Sequence, residues 1–156
     1  MPVLHVIAVN YHGSREARKL AQSLLRQSCG DWRLTIADNS GTVEESEQLR
    51  LIAKVDTRIS VLQSPTNVGY LHAAEWVRRL LPSTSEFSWT AVCNTDVIVD
   101  DPAFLERLKT MDATRAVIAP DITASPSGRK QNPYMLRRPT KRRMLVRRVA
   151  LSRPSL

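Results

Sequence analysis

The chain has 156 residues, 42% apolar and 24% charged, which suits one globular domain with a sizeable core. No apolar run reaches the roughly 18 residues of a membrane-crossing helix. The N-terminus lacks the basic flank and cleavage site of a secretion signal, and Cys29 and Cys93 lack metal-ligand spacing, so a cytoplasmic protein with reduced thiols is expected. The net charge of +8 is unevenly placed: residues 1–121 hold thirteen Lys and Arg against all fifteen acids, while residues 122–156 hold ten Lys and Arg and no acid.

"VLHVIAV" (3–9) is apolar and β-branched and predicts a buried strand ending at Asn10-Tyr11-His12-Gly13. His5, within it, reads as a core imidazole with a hydrogen-bond partner. From Ser14 the period becomes helical, with Ala17, Leu20, Ala21, Leu24 and Leu25 on one stripe. Ser14 is expected as N-cap and Gly30 as C-terminal stop. "RLTIA" (33–37) predicts a second strand, ending at Asp38-Asn39-Ser40-Gly41. Thr42 and Glu45 have the spacing of a capping box for a helix to about Lys54.

"ISVLQ" (59–63) predicts a third strand. It runs into "SPTNVGYLHAAEWVRRLL", where Ala73, Ala74, Val77, Leu80 and Leu81 form a helical stripe. "WTAVC" (89–93) predicts a fourth strand. The apolar run of "VCNTDVIVD" (92–100) is broken by Asn94-Thr95-Asp96. In a buried strand that carboxylate needs a cation, a hydrogen-bond network or water. Asp101-Pro102 is expected to open a helix carrying Phe104, Leu105 and Leu108, and "AVIAP" (116–120) a fifth strand. Trp32, Trp76 and Trp89 read as packing residues.

Strands alternating with helices predict an α/β fold, a mostly parallel sheet flanked by helices. Residues 1–121 form the expected ligand-binding domain and 122–156 a basic loop and tail. Ligands of open α/β sheets bind beyond the carboxyl ends of the strands. Those ends carry Tyr11, Asp38, Asn67 with Gly69, and Asn94 with Asp96. Each has a plain structural reading as a rim aromatic, a turn residue or a tight-turn glycine. Their placement at one sheet edge points to a joint site. Asp96 suits a hard divalent cation, which takes oxygen ligands and would neutralise a diphosphate; a hydrogen-bonded structural aspartate is the other reading.

"VIAVNYHG", "TIADNSG", "SPTNVGYLHAAEW" and "AVCNTDV", in this order, resemble the nucleotide-sugar glycosyltransferases of family 2, and within them the rhamnosyltransferase-like branch of bacterial cell-wall and O-antigen assembly. The resemblance spans about residues 3–145. It implies the GT-A fold, with a Rossmann-like nucleotide-binding half, and inverting transfer from a UDP- or dTDP-sugar. It places Tyr11 against the base and Asp38 as acceptor of a hydrogen bond from the pyrimidine. Asn67 and Gly69 line base and ribose. Asn94-Thr95-Asp96 stands at the family's Asp-x-Asp motif, with Asn94 on the nucleotide side and Asp96 on Mg²⁺ or Mn²⁺.

Two departures stand out. Asn94 replaces the first acid of the motif, and no acid follows Asp121, where the family has a further region bearing the acceptor site and general base. The chain is therefore expected to be the donor-binding part alone, its catalytic base unknown. The alternative is a catalytically incomplete module that binds a nucleotide or a partner. Residues 137–151, basic with interleaved apolar side chains, suit an anionic membrane surface at the inner face; packing on a further region of protein is the competing reading. Nucleic acid is disfavoured, since Tyr134 is the tail's one aromatic. A dinucleotide-binding dehydrogenase is disfavoured by the lack of G-x-G-x-x-G after the first strand.

Overall fold

The computed structural model describes residues 4–64, 66–80, 87–111, 114, 118 and 120–131. The chain divides into two units, Met1–Thr114 and Arg115–Leu156. The first contains β1 (Leu4–Asn10), α1 (Ser14–Leu25), β2 (Trp32–Asp38), α2 (Val43–Ala53), β3 (Ile59–Gln63), α3 (Tyr70–Leu80), β4 (Trp89–Asn94) and α4 (Phe104–Lys109). In the second, β5 (Thr123–Ala124) and β6 (Arg129–Lys130) pair antiparallel.

Strands β3-β2-β1-β4 form one parallel sheet in that order. The central position of β1 explains its unbroken apolar run, since a strand with neighbours on both edges and cover on both faces has no solvent side; all seven of its residues are buried. Its even-numbered residues Leu4, Val6 and Ala8 join Leu34 and Ile36 of β2 on one face. There they pack in a cluster with Leu20 and Leu24 of α1, Leu49 and Ile52 of α2, and Leu105 and Leu108 of α4. On the other face Ile7, Val9 and Ala37 pack with Ala73, Ala74 and Val77 of α3. Burying each such Leu, Ile or Val contributes about 1.5–3 kcal/mol.

His5 is buried on this second face. Its Nε2 lies 2.9 Å from Thr35 Oγ1, and its ring stacks on Phe87 at 4.9 Å. Trp32 is buried in the first cluster with the Arg58 guanidinium 4.1 Å above its ring, while Trp76 and Trp89 are partly buried against the two clusters.

Several local expectations are corrected. Residue 13, not Ser14, is the N-cap of α1, because the Ser14 side chain is engaged elsewhere. α1 stops at Leu25 with Arg26 still right-handed, so Gly30 is not its stop; the Gly30 carbonyl instead accepts from Trp32 N at 2.9 Å. Thr42 caps α2 by position but makes no side-chain cap bond, and Glu45 does not close a capping box with it. α4 begins at Phe104 rather than Pro102. Asp101 Oδ1 accepts from Ala103 N at 2.9 Å, and the amide of Leu105 is met by Gln27 Oε1 at 3.2 Å, a cap brought from the end of α1. Leu80 is exposed, and Leu81 lies outside the described residues.

The reading of 92–100 as core strand also changes. Among the described residues β4 is an edge of the sheet, with Thr90, Val92 and Asn94 exposed and Trp89, Ala91 and Cys93 turned toward the first cluster. The Asp96 carboxylate is exposed, so water meets the solvation demand that a buried strand would have left open. The expected strand at 116–120 falls largely, and the basic segment 137–151 wholly, outside the described residues. Within the expected loop after residue 122, the short β5–β6 hairpin stands instead, closed by Gly128 N donating to Ala124 O at 2.8 Å.

Candidate functional site

The chain leaves β1 toward β2 on one side and reaches β4 on the other, so the strand order reverses between β1 and β4. In open parallel sheets this reversal opens a crevice beyond the strand ends, where ligands bind. Register aligns the polar termini there: Asn10 pairs with Asp38, Val9 with Asn94, and Asp38 with Gln63.

Hydrogen bonds tie these ends together. Asn39 N donates to Asn10 O at 2.9 Å, and Ser64 N to Asp38 O at 2.8 Å. Asn39 Nδ2 donates to Asn67 Oδ1 at 2.8 Å, and Asn39 Oδ1 accepts from Val68 N at 2.9 Å. The loop after β3 is thus clasped to the end of β2. Asn67 Oδ1 also accepts from Gly69 N at 2.9 Å. Gly69 has φ +82, a left-handed turn that a side chain would strain. It delivers the chain into α3.

The loop after β1 meets the end of β4. A Cβ at Gly13 would lie 2.9 Å from Thr95 Oγ1 and 3.2 Å from Asn10 Oδ1, so a side chain there would force the two loops apart. Burial, and then the charges of Cys93 and Asp96, push up the phenol of Tyr70 at the start of α3. Burial, followed by the charge of Asp96, raises the Cys93 thiol to about 12, so Cys93 is a packed thiol and not a nucleophile.

Tyr11 is 61% exposed on the rim, edge-on to His12 at 4.6 Å. Asn67, Gly69, Asn94 and Asp96 are exposed around the same edge. Asp38 lies beneath it, fully buried, with Ser40 N donating to Oδ1 at 3.1 Å and Ser46 Oγ to Oδ2 at 2.6 Å. Each oxygen keeps a free lone pair, but the carboxylate is covered, so a ligand reaches Asp38 only where the covering residues move. Asp121 belongs to the second unit, where it pairs with Lys130 at 3.2 Å.

Two residues acquire a place that sequence reading did not provide. Asn39 read as a turn residue, and it is the clasp between two loops. Glu45 read as half of a capping box, and its carboxylate instead accepts from Asn10 Nδ2 at 2.9 Å and from Ser14 N at 2.7 Å on Oε1, and from Ser14 Oγ at 3.1 Å on Oε2. No pattern in the chain announces a bond spanning thirty residues.

A divalent cation fits this edge in one way. Among the described residues no three His, Cys, Asp or Glu side chains cluster as a self-contained metal site. Asp96 is an exposed carboxylate to which no described residue donates, and Mg²⁺ is commonly held by one or two carboxylates completed by substrate phosphates. Asp96 fits a cation shared with a diphosphate.

The family model for glycosyl transferase family 2 matches residues 5–153. No curated protein matches the chain. Among solved structures, the fold is similar to a mannosyltransferase from Pyrobaculum calidifontis, determined in complex with GDP-Man and Mn²⁺. The TM-score is 0.56 at 13% identity, covering 65% of this chain and 30% of that one. It is also similar to TarS 1-349 from S. aureus, with TM-score 0.57 at 14% identity, covering 69% of this chain and 31% of that one. The chain thus spans about a third of the length of these two structures.

Proposed function

Since the chain belongs to glycosyl transferase family 2, we propose that its β1/β4 crevice binds a nucleotide-diphospho-sugar and that the chain is the donor-binding part of an inverting glycosyltransferase. One observation carries this reading. The loop after β1 that bears Tyr11 meets the Asn94–Asp96 segment where the strand order reverses, and the Asn67–Gly69 turn is clasped to the neighbouring end of β2. Such a place admits a planar base at one end and a charged diphosphate at the other.

In this reading Tyr11 offers its ring to the base. Asp38 holds the Ser40 turn beneath the base and accepts from the pyrimidine on a free lone pair once the residues covering it move. Asn67 and Gly69 line base and ribose, and Asn94 faces the nucleotide. Asp96 would hold Mg²⁺ or Mn²⁺, which would supply charge neutralisation for the departing diphosphate. The acceptor hydroxyl attacks the anomeric carbon from the opposite face as the bond to the diphosphate breaks, and its proton passes to a base. A rhamnosyl-type donor and a polysaccharide acceptor belong to the same proposal, supported by the motifs in the sequence.

The second reading, a transferase-like module that binds a nucleotide or partner without catalysis, is favoured by the engagement of Asp121 with Lys130.

Calorimetric titration with UDP, dTDP and GDP, with and without Mn²⁺, tests the donor site. Tighter binding of one pyrimidine diphosphate with metal is expected, and Asp96→Ala should remove the metal dependence. Equal affinity with metal and with chelator in the parent chain would overturn the role of Asp96, and no binding of any of the three would overturn the site. Transfer assays then separate the readings. Sugar transfer by the purified chain supports a complete enzyme, and donor binding without turnover supports the partial one.

A further inference from the structure

Glu45 is the point at which three segments of the first unit meet. It stands in the first turn of α2, partly buried. Its carboxylate receives the side-chain amide of Asn10 at the end of β1, together with the backbone N–H and the hydroxyl of Ser14 at the start of α1. The residues between those partners are Tyr11, His12 and Gly13, the loop at the reversal point. That loop needs holding. His12 has φ 52, in the left-handed region that a side-chain-bearing residue rarely adopts.

Further side-chain bonds of the loop run through Asn10 and Ser40. Asn10 Oδ1 accepts from Gly13 N at 3.2 Å, Asn10 Nδ2 also donates to Ser40 Oγ at 3.2 Å, and Ser40 Oγ accepts from His12 N at 2.9 Å. With Glu45 accepting from Asn10 Nδ2, the amide of Asn10 is oriented so that its oxygen faces Gly13. Its orientation is thus chosen by the carboxylate. Ser14 N belongs to the first helical turn, whose amides have no partner within the helix and where a negative charge is also favoured by the helix dipole.

We propose that Glu45 is a positioning residue for the donor site, touching no ligand itself but fixing the Asn10–Ser14 loop, and so the ring of Tyr11, at the crevice. The part concerning ligand rests on the nucleotide reading above; the hold on the loop does not. Charge-assisted bonds from three donors to one carboxylate are stronger than neutral ones. Glu45→Ala takes this acceptor from Ser14 N and the Ser14 hydroxyl and leaves Asn10 Nδ2 with Ser40 Oγ alone. Glu45→Gln keeps one oxygen for Asn10 and Ser14 N, and its amide can donate to the Ser14 hydroxyl.

Hydrogen exchange and nucleotide titration on the full chain test this together. In Glu45→Ala, exchange at the amides of residues 12–14 should rise about tenfold or more while amides of β1 and β2 stay protected, and Glu45→Gln should restore most of the protection. UDP with Mn²⁺ should bind about tenfold more weakly to Glu45→Ala than to the parent, with Glu45→Gln between them. Unchanged exchange at 12–14 in Glu45→Ala would overturn the positioning role whether or not nucleotide binds. Changed exchange with unchanged UDP affinity would overturn its link to the donor site. If the parent binds no nucleotide, the donor-site reading fails and the exchange arm still decides whether Glu45 holds the loop. Should Glu45→Ala not fold, Ser14→Ala supplies the intermediate case. It removes only the hydroxyl bond, and a rise in exchange at 12–14 is expected there too, its absence counting against the role.

Discussion

At the scale of single residues, the polar side chains of this protein divide into those that face water and those whose position is set by a partner. Asp96 and Asn94 belong to the first kind, and Asp38, Asn39 and Glu45 to the second. His5 is a third case, an ionisable group held neutral in a core. Burial, and then the charge of Arg33, lowers its pKa from 6.5 to about 4. The unfolded chain therefore binds a proton more readily than the folded one between those values. The stability contributed by neutral His5 is fully present above pH 6.5 and is lost as pH falls toward 4. The loss amounts to about 3.5 kcal/mol at most, each pKa unit being worth about 1.4 kcal/mol. Denaturant titrations from pH 7 to pH 4 should show this decline, and His5→Gln should flatten it. A slope unchanged by His5→Gln would mean that other groups cause the acid sensitivity.

At the scale of elements, the helices were legible from their apolar periods because those periods are what the core requires. Ala17, Leu20, Ala21 and Leu24 are all buried, as the stripe of α1 predicts. Helix ends were less legible, because a cap can come from any part of the fold. Thr42 has the residue type and position of a cap but makes no cap bond, whereas Gln27, far away in sequence, meets the Leu105 amide of α4. Thr42→Ala should therefore change stability by less than about 0.5 kcal/mol, and Gln27→Ala should cost about 0.5–2 kcal/mol, the range of a lost cap. Chemical denaturation of the two variants checks the order. Thr42→Ala as the more damaging change would show that the sequence-based capping box governs α2 after all.

At the scale of the whole molecule, charge asymmetry remains the chain's most distinctive property, with its acids ending at Asp121 and ten basic residues following. The segment 137–151 lies outside the described residues, and its basic and apolar mixture motivates one prediction. Each basic residue near an anionic bilayer contributes on the order of 1 kcal/mol. The chain should co-sediment with phosphatidylserine-containing vesicles but not with zwitterionic ones, and should be released by added salt and by deletion of residues 137–156. Equal partitioning of the full and shortened chains would show that this segment does not anchor the protein.

The strand–helix alternation, the parallel sheet and the polar strand ends were readable in the chain because each depends on local pattern: β-branched runs, three-and-four spacing, and polar breaks where strands stop. The residues at the crevice followed from the same breaks, since parallel strands all end on one side. What local pattern does not contain is which strand lies next to which. Only the order β3-β2-β1-β4 makes β4 an edge among the described residues and exposes Asp96, where the apolar run around it had suggested a buried carboxylate. Only the folded packing of α2 against the start of α1 turns Glu45 from a capping residue into the acceptor for Asn10 and Ser14. A carboxylate takes the donors that the fold brings nearest with the best geometry. Over a separation of thirty residues, those donors are selected by the tertiary structure.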